Sequence, residues 1–444
     1  MEQLTRNQLS VQKERAILAA CLLPNDGGDP HDPLSELRAL ADTAGALVVD
    51  ELMQKRDKPD PGTFIGSGKA EDLREMADAQ RAEVIIFDND LSPSQIGNLE
   101  KIVERKVIDR SELILDIFAA RARTHEAKLQ VELAQLEYTY PRLRAMWSHL
   151  ERITGGSPTG IGTRGPGEQQ LEIDRRIVQR KISDLRKQIA RIQKRKTREV
   201  EHRNQDFFTV GLVGYTNAGK STLFNTVTDG DAYADDKLFA TLSTRTRQWA
   251  LGGGDTVMLS DTVGFVRHLP HHLVASFRAT LEESIHADLL LIVLDAAHPR
   301  AAQRLETVTQ VLDEIGAGER PRLIVLNKID AVAHHADLVA LQNQHPDSVA
   351  ISARTGRGVN ELVERVRAAM HGQSQELTLT VPMADGKTIN FLENRATVLD
   401  RRYDTDRVTM TVRIGQRQLD QLRSMGGTIH LPDDAVPAEK GWGR

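Results

Sequence analysis

Gly214-Tyr215-Thr216-Asn217-Ala218-Gly219-Lys220-Ser221-Thr222 is a complete phosphate-binding loop, Gly-x-x-x-x-Gly-Lys-Ser. The apolar run Phe207 to Val213 before it reads as a strand, and Ser221 to Val227 after it reads as a helix. That strand–loop–helix context is what gives the motif its meaning. Gly214 and Gly219 let backbone N–H groups turn inward onto phosphates with no Cβ in the way. Lys220 reaches the β- and γ-phosphates, and the Ser221 hydroxyl is a ligand for Mg²⁺. A plain glycine-rich turn ahead of an ordinary helix would account for this stretch alone, but not for the strings that follow it.

Asp261-Thr262-Val263-Gly264 comes after the apolar run Thr256 to Leu259. Asp261 is placed to hold Mg²⁺ through a water, and the Gly264 N–H to bond the γ-phosphate. Asn327-Lys328-Ile329-Asp330 ends a run from Leu323 to Leu326. The Asp330 carboxylate can accept from both the N1–H and the exocyclic NH₂ of guanine. Adenine lacks that donor pair, and a site built on such bonds rejects the analogue strongly. Ser352-Ala353-Arg354 ends the run Val349 to Ile351 and closes over the base. Their order, each at a strand end, predicts a P-loop GTPase domain. Three threonines, Thr241, Thr244 and Thr246, could supply a further Mg²⁺ ligand, and the residues alone favour Thr241 only as the best of three. Phe265 follows Gly264, where many signalling GTPases carry the glutamine that orients the attacking water. Phenylalanine cannot do this, so slow intrinsic turnover stimulated by a docked partner is expected; the plainer reading is a packed switch residue.

At 444 residues, with 27% charged and 40% hydrophobic residues, the chain reads as a soluble protein of two to four domains. No apolar run is long enough for a membrane span, and Met1 to Arg15 lacks a signal-peptide core. The single cysteine, Cys21, excludes an intrachain disulfide and reads as a buried thiol in a reducing compartment. The expectation is a cytoplasmic protein and a monomer, without a membrane anchor; association with a membrane would need a protein partner.

The net charge of −5 alone argues against nucleic-acid binding, but its distribution does not. Arg175 to Arg203 holds twelve Lys/Arg against three acids, a local net charge of +9. Ile177 or Val178, Ile182, Leu185, Ile189 and Ile192 recur at three- and four-residue steps, and Leu129, Leu133, Leu136 and Tyr140 form a matching stripe. Together they predict an antiparallel coiled-coil hairpin. The glycine-rich linker Thr154 to Glu168 is its mobile tip. A charge run is commonly a solvated helix face. Here a basic arm with a flexible end fits binding to the phosphate backbone of folded RNA.

Upstream, Ile17 to Leu23, Ala46 to Val49, Val84 to Phe87 and Val107-Ile108 read as strands. They alternate with helices over Pro33 to Asp42 (capped by Asp32), Lys69 to Ala82 and Ser92 to Val103, which implies a small parallel sheet. Phe64 to Ala70 imitates a phosphate loop, but it lacks the first glycine and ends in Ala70, so a structural turn is favoured over a nucleotide site. Gln373 to Gln375 reads as a linker. Beyond it, strands Leu377 to Val381 and Val408 to Val412 and helices Thr388 to Asn394 and Arg417 to Met425 make a small α+β module. Asp433 to Arg444 is expected to fray. The fold class is thus α/β multidomain: an N-terminal α/β subdomain (1–110), a helical hairpin (111–204), the GTPase domain (205–372) and a C-terminal α+β domain (376–444).

The strings Thr63-Phe64-Ile65-Gly66-Ser67-Gly68-Lys69, Gly160-Ile161-Gly162-Thr163-Arg164-Gly165-Pro166-Gly167-Glu168 and Phe239-Ala240-Thr241-Leu242 stand beside the GTPase motifs. With them the whole chain resembles HflX-type proteins, ribosome-associated GTPases of the Obg-HflX group. Thr159 and Gln169 depart from the pattern expected there. The resemblance implies GTP and GDP as ligands, the large ribosomal subunit and its rRNA as partner, and splitting of stalled ribosomes under stress. It places the second direct Mg²⁺ ligand at Thr241, makes Lys220, Thr241 and Gly264 the catalytic set, and adds Phe239 and Ala240 to the nucleotide contacts. Arg164, Arg186, Lys187, Arg191, Lys194 and Arg195 are the RNA-binding candidates. Asn217 holds the position that ligates K⁺ in potassium-activated GTPases with a similar Asn-Ala-Gly-Lys-Ser string; the alternative is a turn cap. The rival functions are nucleotide-driven rRNA remodelling and a GTP-switched adaptor of membrane-associated proteolysis.

Overall fold

The computed structural model describes residues 14–24, 31–153, 166–228, 238–239, 244–267, 285–372, 374–415, 418–419 and 422–423. The N-terminal part alternates β1 (Arg15–Leu22), α1 (Ser35–Ala44), β2 (Leu47–Lys55), α2 (Ser67–Gln80), β3 (Val84–Phe87), α3 (Pro93–Val103) and β4 (Lys106–Asp109). Its sheet runs β2-β1-β3-β4 with every pair parallel. Strand β3 is buried on both faces, as a strand covered by helices must be. Helix α3 starts where the capping box Ser92/Gln95 satisfies its first N–H groups. Helix α1 differs from expectation. It begins at Ser35 with Leu34 as an N-cap that makes no side-chain bond. The Asp32 carboxylate is instead taken by Arg38 at 3.0 Å, and Arg38 also binds Glu51 at 2.7 Å.

The glycine-rich stretch before α2 is a structural turn. The Gln54 side chain accepts the Gly66 N–H at 2.8 Å, Asp60 accepts the Gly62 N–H, and Lys69 pairs with Asp72 on its own helix.

Three helices follow: α4 (Arg110–Arg121), α5 (His125–Ile153) and α6 (Pro166–Asp206). The hairpin seam of α5 and α6 buries Leu129, Leu133, Leu185 and Ile189, with Leu136, Ile182 and Ile192 partly buried. Ile177 is 55% exposed, so of the two alternatives at that step it does not belong to the seam. Pro166, Gly167 and Glu168, expected in the linker, form the first turn of α6; proline suits that position because its missing N–H has no helical partner. The rest of the glycine-rich tip, Arg164 included, lies outside the described residues. Helix α4 is a separate element within the segment expected as hairpin alone. It roots the hairpin: Leu113, Ile114 and Phe118 share one core with Leu34, Leu37 and Leu40 at and within α1 and with Ala127, Val131 and Ala134 of α5. Each large apolar side chain fully buried there contributes about 1.5–3 kcal/mol.

The central part comprises β5 (Thr209–Gly214), α7 (Lys220–Thr228), β6 (Arg245–Gly252), β7 (Asp255–Asp261), β8 (Leu289–Asp295), α8 (Ala301–Glu314), β9 (Arg322–Asn327), α9 (His335–Gln344), β10 (Val349–Ala350) and α10 (Val359–Gly372). The strand order is β10-β9-β8-β5-β7-β6, parallel throughout except for the β6–β7 hairpin. The phosphate loop, the Asp-x-x-Gly string and the two base strings therefore emerge at the carboxyl ends of β5, β7, β9 and β10. Crevices at that edge are where open α/β sheets bind ligands.

The last part contains β11 (Ser374–Pro382), α11 (Gly386–Arg395), β12 (Thr397–Tyr403) and β13 (Arg407–Gly415), in an antiparallel sheet ordered β11-β13-β12. Ser374 and Gln375, expected as linker, pair with Gly415 and Ile414 as strand residues. Most of Arg417 to Met425 and all of Asp433 to Arg444 lie outside the described residues. Among the described residues no helix is long and apolar enough to cross a membrane.

Candidate nucleotide site

Two glycines of the phosphate loop are dictated by close approach. At Gly214 the backbone has φ 151°, and a Cβ would lie 2.2 Å from the Val293 carbonyl oxygen. At Gly219 φ is 91°, and a Cβ would lie 2.2 Å from Asn327 Nδ2. Asn327 is the brace of the site. Its Nδ2 donates to the Ala218 carbonyl at 2.8 Å, and its Oδ1 accepts the Ala353 N–H at 2.9 Å. Thr226 of α7 donates to the Ala353 carbonyl at 2.7 Å. The phosphate loop and both base strings are thereby tied into one unit.

Lys220 is buried, and its Nζ donates to the carbonyls of Gly214 at 3.1 Å and Tyr215 at 2.9 Å. Burial lowers its pKa to about 8, with Asp261 acting in the opposite sense. The Ser221 hydroxyl donates to Asp261 Oδ2 at 2.8 Å, and Asp261 is fully buried. A hydroxyl and a carboxylate side by side are hard oxygen donors, which fits Mg²⁺. Thr262 anchors this segment by donating to the Leu212 carbonyl at 2.6 Å. Gly264 lies against the loop: a Cβ there would stand 2.8 Å from Thr216 Cγ2 and 2.9 Å from Lys220 Nζ.

On the base side, Asp330 is exposed and accepts from the Ser352 hydroxyl. That bond, aided by the charges of Arg354 and Lys328, holds its carboxyl below the usual range. Lys328 has φ 63° and pairs with Asp295 at 2.9 Å. Ser352 and Ala353 are buried and Arg354 is exposed. Ala218, Thr216 and Val263 are buried, Thr222 is half-buried, and Asn217 is exposed at φ 59°. Asparagine tolerates that left-handed conformation better than most residues.

Several side chains in these segments are engaged by other parts of the protein. Phe239 is buried edge-on against Phe118 of α4, with ring centroids 4.6 Å apart. Its neighbour Leu238 donates its N–H to Thr43 at 3.2 Å. Ala240 and Thr241 lie outside the described residues. Thr246 lies in β6, with its hydroxyl 3.1 Å from that of Ser260. Tyr215 sends its ring toward the N-terminal part, where its hydroxyl donates to Glu36 at 2.7 Å. Phe265 is buried in a core with Leu290 and Ile292. Its N–H donates to the Gly214 carbonyl at 3.1 Å, and its carbonyl accepts the Thr216 N–H at 2.7 Å. Phe265→Ala should therefore leave nucleotide affinity nearly intact, because the backbone bonds remain. It should destabilise the fold by about 3–5 kcal/mol through the cavity. Mant-GDP titration and denaturant unfolding of the same variant check both halves.

On the arm, Lys187, Arg191, Lys194 and Arg195 are exposed on α6. Arg186 is partly committed to Glu137 of α5 at 2.8 Å, as Lys181 is to Glu132 at 2.6 Å and Lys196 to Glu126 at 3.6 Å. Part of the +9 charge is therefore balanced inside the hairpin, which a count along α6 alone does not show.

A sheet that presents a phosphate loop between a Mg²⁺-side carboxylate on one flank and a guanine-type acid on the other defines a P-loop GTPase. Four family models match in succession: GTP-binding GTPase N-terminal over residues 31–119, GTP-binding GTPase middle region over 121–203, 50S ribosome-binding GTPase over 209–328, and HflX C-terminal domain over 337–435. The GTPase HflX of Escherichia coli strain K12 is 45% identical over 376 residues, 84% of this chain and 87% of that protein. That of Caldanaerobacter subterraneus subsp. tengcongensis is 39% identical over 425 residues, 96% of this chain and 95% of that protein. A GTP-binding protein from the archaeon Sulfolobus solfataricus, solved with GDP, aligns at 24% identity and a TM-score of 0.43 over 80% of this chain and 98% of that one. The chain belongs to the HflX GTPase family, and it binds guanine nucleotide and hydrolyses GTP.

Proposed function

We propose that this GTPase docks its helical arm on the rRNA of the large ribosomal subunit in the GTP state and thereby splits stalled ribosomes. One observation carries the reading. Leu238 and Phe239 on one side of the nucleotide site, and Val263 and Val266 on the other, belong to the same buried core as α4 and the root of α5. The segments that respond to the γ-phosphate and the base of the arm are therefore packed on each other. A 41-residue helix such as α6 spans about 60 Å, long enough to carry a small shift at its root far from the nucleotide. The family description of residues 209–328 as a 50S ribosome-binding GTPase supports the same partner.

In this reading the loop Gly214 to Thr222 cradles the phosphates, and Ser221 and Thr241 ligate Mg²⁺ directly, with Asp261 acting through a water. Lys220 neutralises phosphate charge, the Gly264 N–H meets the γ-phosphate, and Asp330 reads guanine. Mg²⁺ supplies positive charge that offsets the negative charge of the transferring phosphoryl group. Turnover is slow alone and rises on the ribosome, because Phe265 cannot orient water. The protein acts as a cytoplasmic monomer.

The test mixes whole ribosomes with the protein and a non-hydrolysable GTP analogue and follows light scattering. Splitting with the analogue is expected; splitting only with hydrolysable GTP would contradict it. Binding should weaken steeply with salt as phosphate contacts release counterions. Reversing Arg186, Lys187, Arg191, Lys194 and Arg195 together should remove it, while unchanged affinity would make the arm a solvated coiled coil. Nucleotide-dependent unwinding of RNA without subunit separation would favour the remodelling alternative. Binding to a membrane protease complex in place of ribosomes would favour the adaptor.

Potassium is the second proposed cation, held by Asn217 beside the phosphates in place of an arginine finger. Hydrolysis should be faster in KCl than in NaCl at equal ionic strength. Equal rates would leave Asn217 as a residue suited to a left-handed turn.

A further inference from the structure

A buried ionic network joins the N-terminal part to the catalytic edge of the GTPase sheet. Glu36 comes from the first turn of α1, Asp88 follows β3, and Arg110 opens α4. Opposite them stand Tyr215 of the phosphate loop and Arg267, three residues after Gly264. Arg110 pairs with Glu36 at 2.8 Å and with Asp88, and donates to the Arg267 carbonyl at 3.1 Å. The Arg267 guanidinium binds Asp88 at 2.8 Å. The Arg110 side chain is 2% exposed and that of Glu36 10% exposed, so two carboxylates and two guanidinium groups balance each other largely out of water. Burial alone would raise the Glu36 carboxyl; Arg110, the Tyr215 hydroxyl and Arg267 outweigh it and hold it ionised.

At the centre is a short chain of hydrogen bonds. The backbone N–H of Arg267 donates to the Tyr215 hydroxyl at 2.7 Å and to Glu36 Oε1 at 3.2 Å. The Tyr215 hydroxyl donates onward to Glu36 Oε1 at 2.7 Å. The Arg304 guanidinium lies 4.5 Å over the Tyr215 ring and fixes its plane. Together with the two backbone bonds of Phe265, three hydrogen bonds clamp the segment just after Gly264 to the phosphate loop. In the proposed function, on which this inference rests, the Gly264 N–H is the donor to the γ-phosphate. Its effect on rate depends on being held in place before charge develops.

We infer that Tyr215 and Glu36 are positioning residues for GTP hydrolysis. Glu36, from outside the GTPase domain, orients the Tyr215 hydroxyl, and that hydroxyl sets the register of the Gly264 segment against the phosphate loop. GDP has no γ-phosphate and does not use the Gly264 donor, so its binding is independent of the network.

The experiment compares the full chain with Tyr215→Phe, Glu36→Gln and the double variant. It reads single-turnover and steady-state GTP hydrolysis and mant-GDP affinity. Tyr215→Phe keeps the ring under Arg304 and removes only the hydroxyl. Each single variant is expected to lower kcat about tenfold, with KM for GTP and mant-GDP affinity changed by less than about twofold. The double variant should lose little more than the worse single one, because both act through one bond. An unchanged or raised kcat, a parallel loss of GDP affinity, or losses that multiply in the double variant would overturn the inference. Should Tyr215→Phe fail to fold, Glu36→Gln alone decides it by the same split between kcat and GDP affinity.

Discussion

Asp330→Asn is expected to turn the protein from guanine toward xanthine nucleotides. The Asp330 carboxylate is exposed, steadied by the Ser352 hydroxyl and held below the usual carboxylate range. It is therefore ionised at neutral pH and can accept two hydrogen bonds from the guanine edge. Hydrogen bonds to charged groups contribute about 1.5–3 kcal/mol each. The asparagine amide keeps one acceptor and sets a donor against the other guanine donor, so losing that one bond would weaken GTP by about one to two orders of magnitude. Xanthine presents one donor and one acceptor at the same edge, and the asparagine amide matches them. The Ser352 hydroxyl can donate to the amide oxygen as it does to the carboxylate, so the fold should be unaffected. Competition titrations with GTP and XTP against a mant-nucleotide give the ratio directly. Retained selectivity for GTP would mean that another group reads the base.

Lys220→Ala is expected to abolish GTP hydrolysis, with a fall of at least about 10²–10³-fold, the scale on which a preorganised charge-stabilising donor acts. The variant also leaves the Gly214 and Tyr215 carbonyls without the ammonium that now bonds them. The pH behaviour of the unaltered chain follows from the same burial. With a folded pKa of about 8 against an ordinary 10.5, Lys220 in the unfolded chain holds a proton between these values that the folded chain releases. Its destabilising contribution is fully present below pH 8 and fades as pH rises to 10.5. Phosphate anions reverse this by favouring the ammonium, so nucleotide binding takes up a proton when the pH exceeds about 8. Affinity should then fall by up to about tenfold per pH unit. Calorimetry in two buffers of different ionisation enthalpy at pH 9 measures the proton uptake. No uptake would show that the amine is already charged in the free protein.

The nucleotide site was legible in the sequence because its chemistry is local. Gly214 to Thr222, Asp261 to Gly264, Asn327 to Asp330 and Ser352 to Arg354 are contiguous strings, each following an apolar run. Parallel sheets deliver such strings to one edge whatever the long-range details. The hairpin was legible for a similar reason, since a stripe at three- and four-residue steps marks one face of each helix. What escaped lacked a local pattern. Strand β6, reading Arg-Thr-Arg-Gln-Trp-Ala-Leu-Gly, carries charge on its open face and is ordered by pairing with β7. Strand β12, with Asp400, Arg401 and Arg402 in its middle, is likewise made by β13. Propensity is weak for edge strands, and pairing decides them.

Residue roles divide along the same line. Asn327 stands in the same string as Asp330, but its work as a brace between Ala218 and Ala353 appears only once the strand ends of β5, β9 and β10 lie together. Tyr215 reads as a phosphate contact because it stands inside the loop, and Phe239 as a nucleotide contact through the family resemblance. The fold turns one toward Glu36 and the other onto Phe118. The ligand class, the order of the parts and the existence of the basic arm follow from the amino-acid sequence alone, because those depend on neighbours in the chain. The shared core of both flanks of the nucleotide site with the root of that arm, and the meeting of Arg110, Glu36, Asp88 and Arg267 in one ionic network, emerge only from the folded chain. Residues that far apart come together by burial of apolar surface and by mutual charge compensation; a local stripe shows that a face is buried, but not which distant partner covers it.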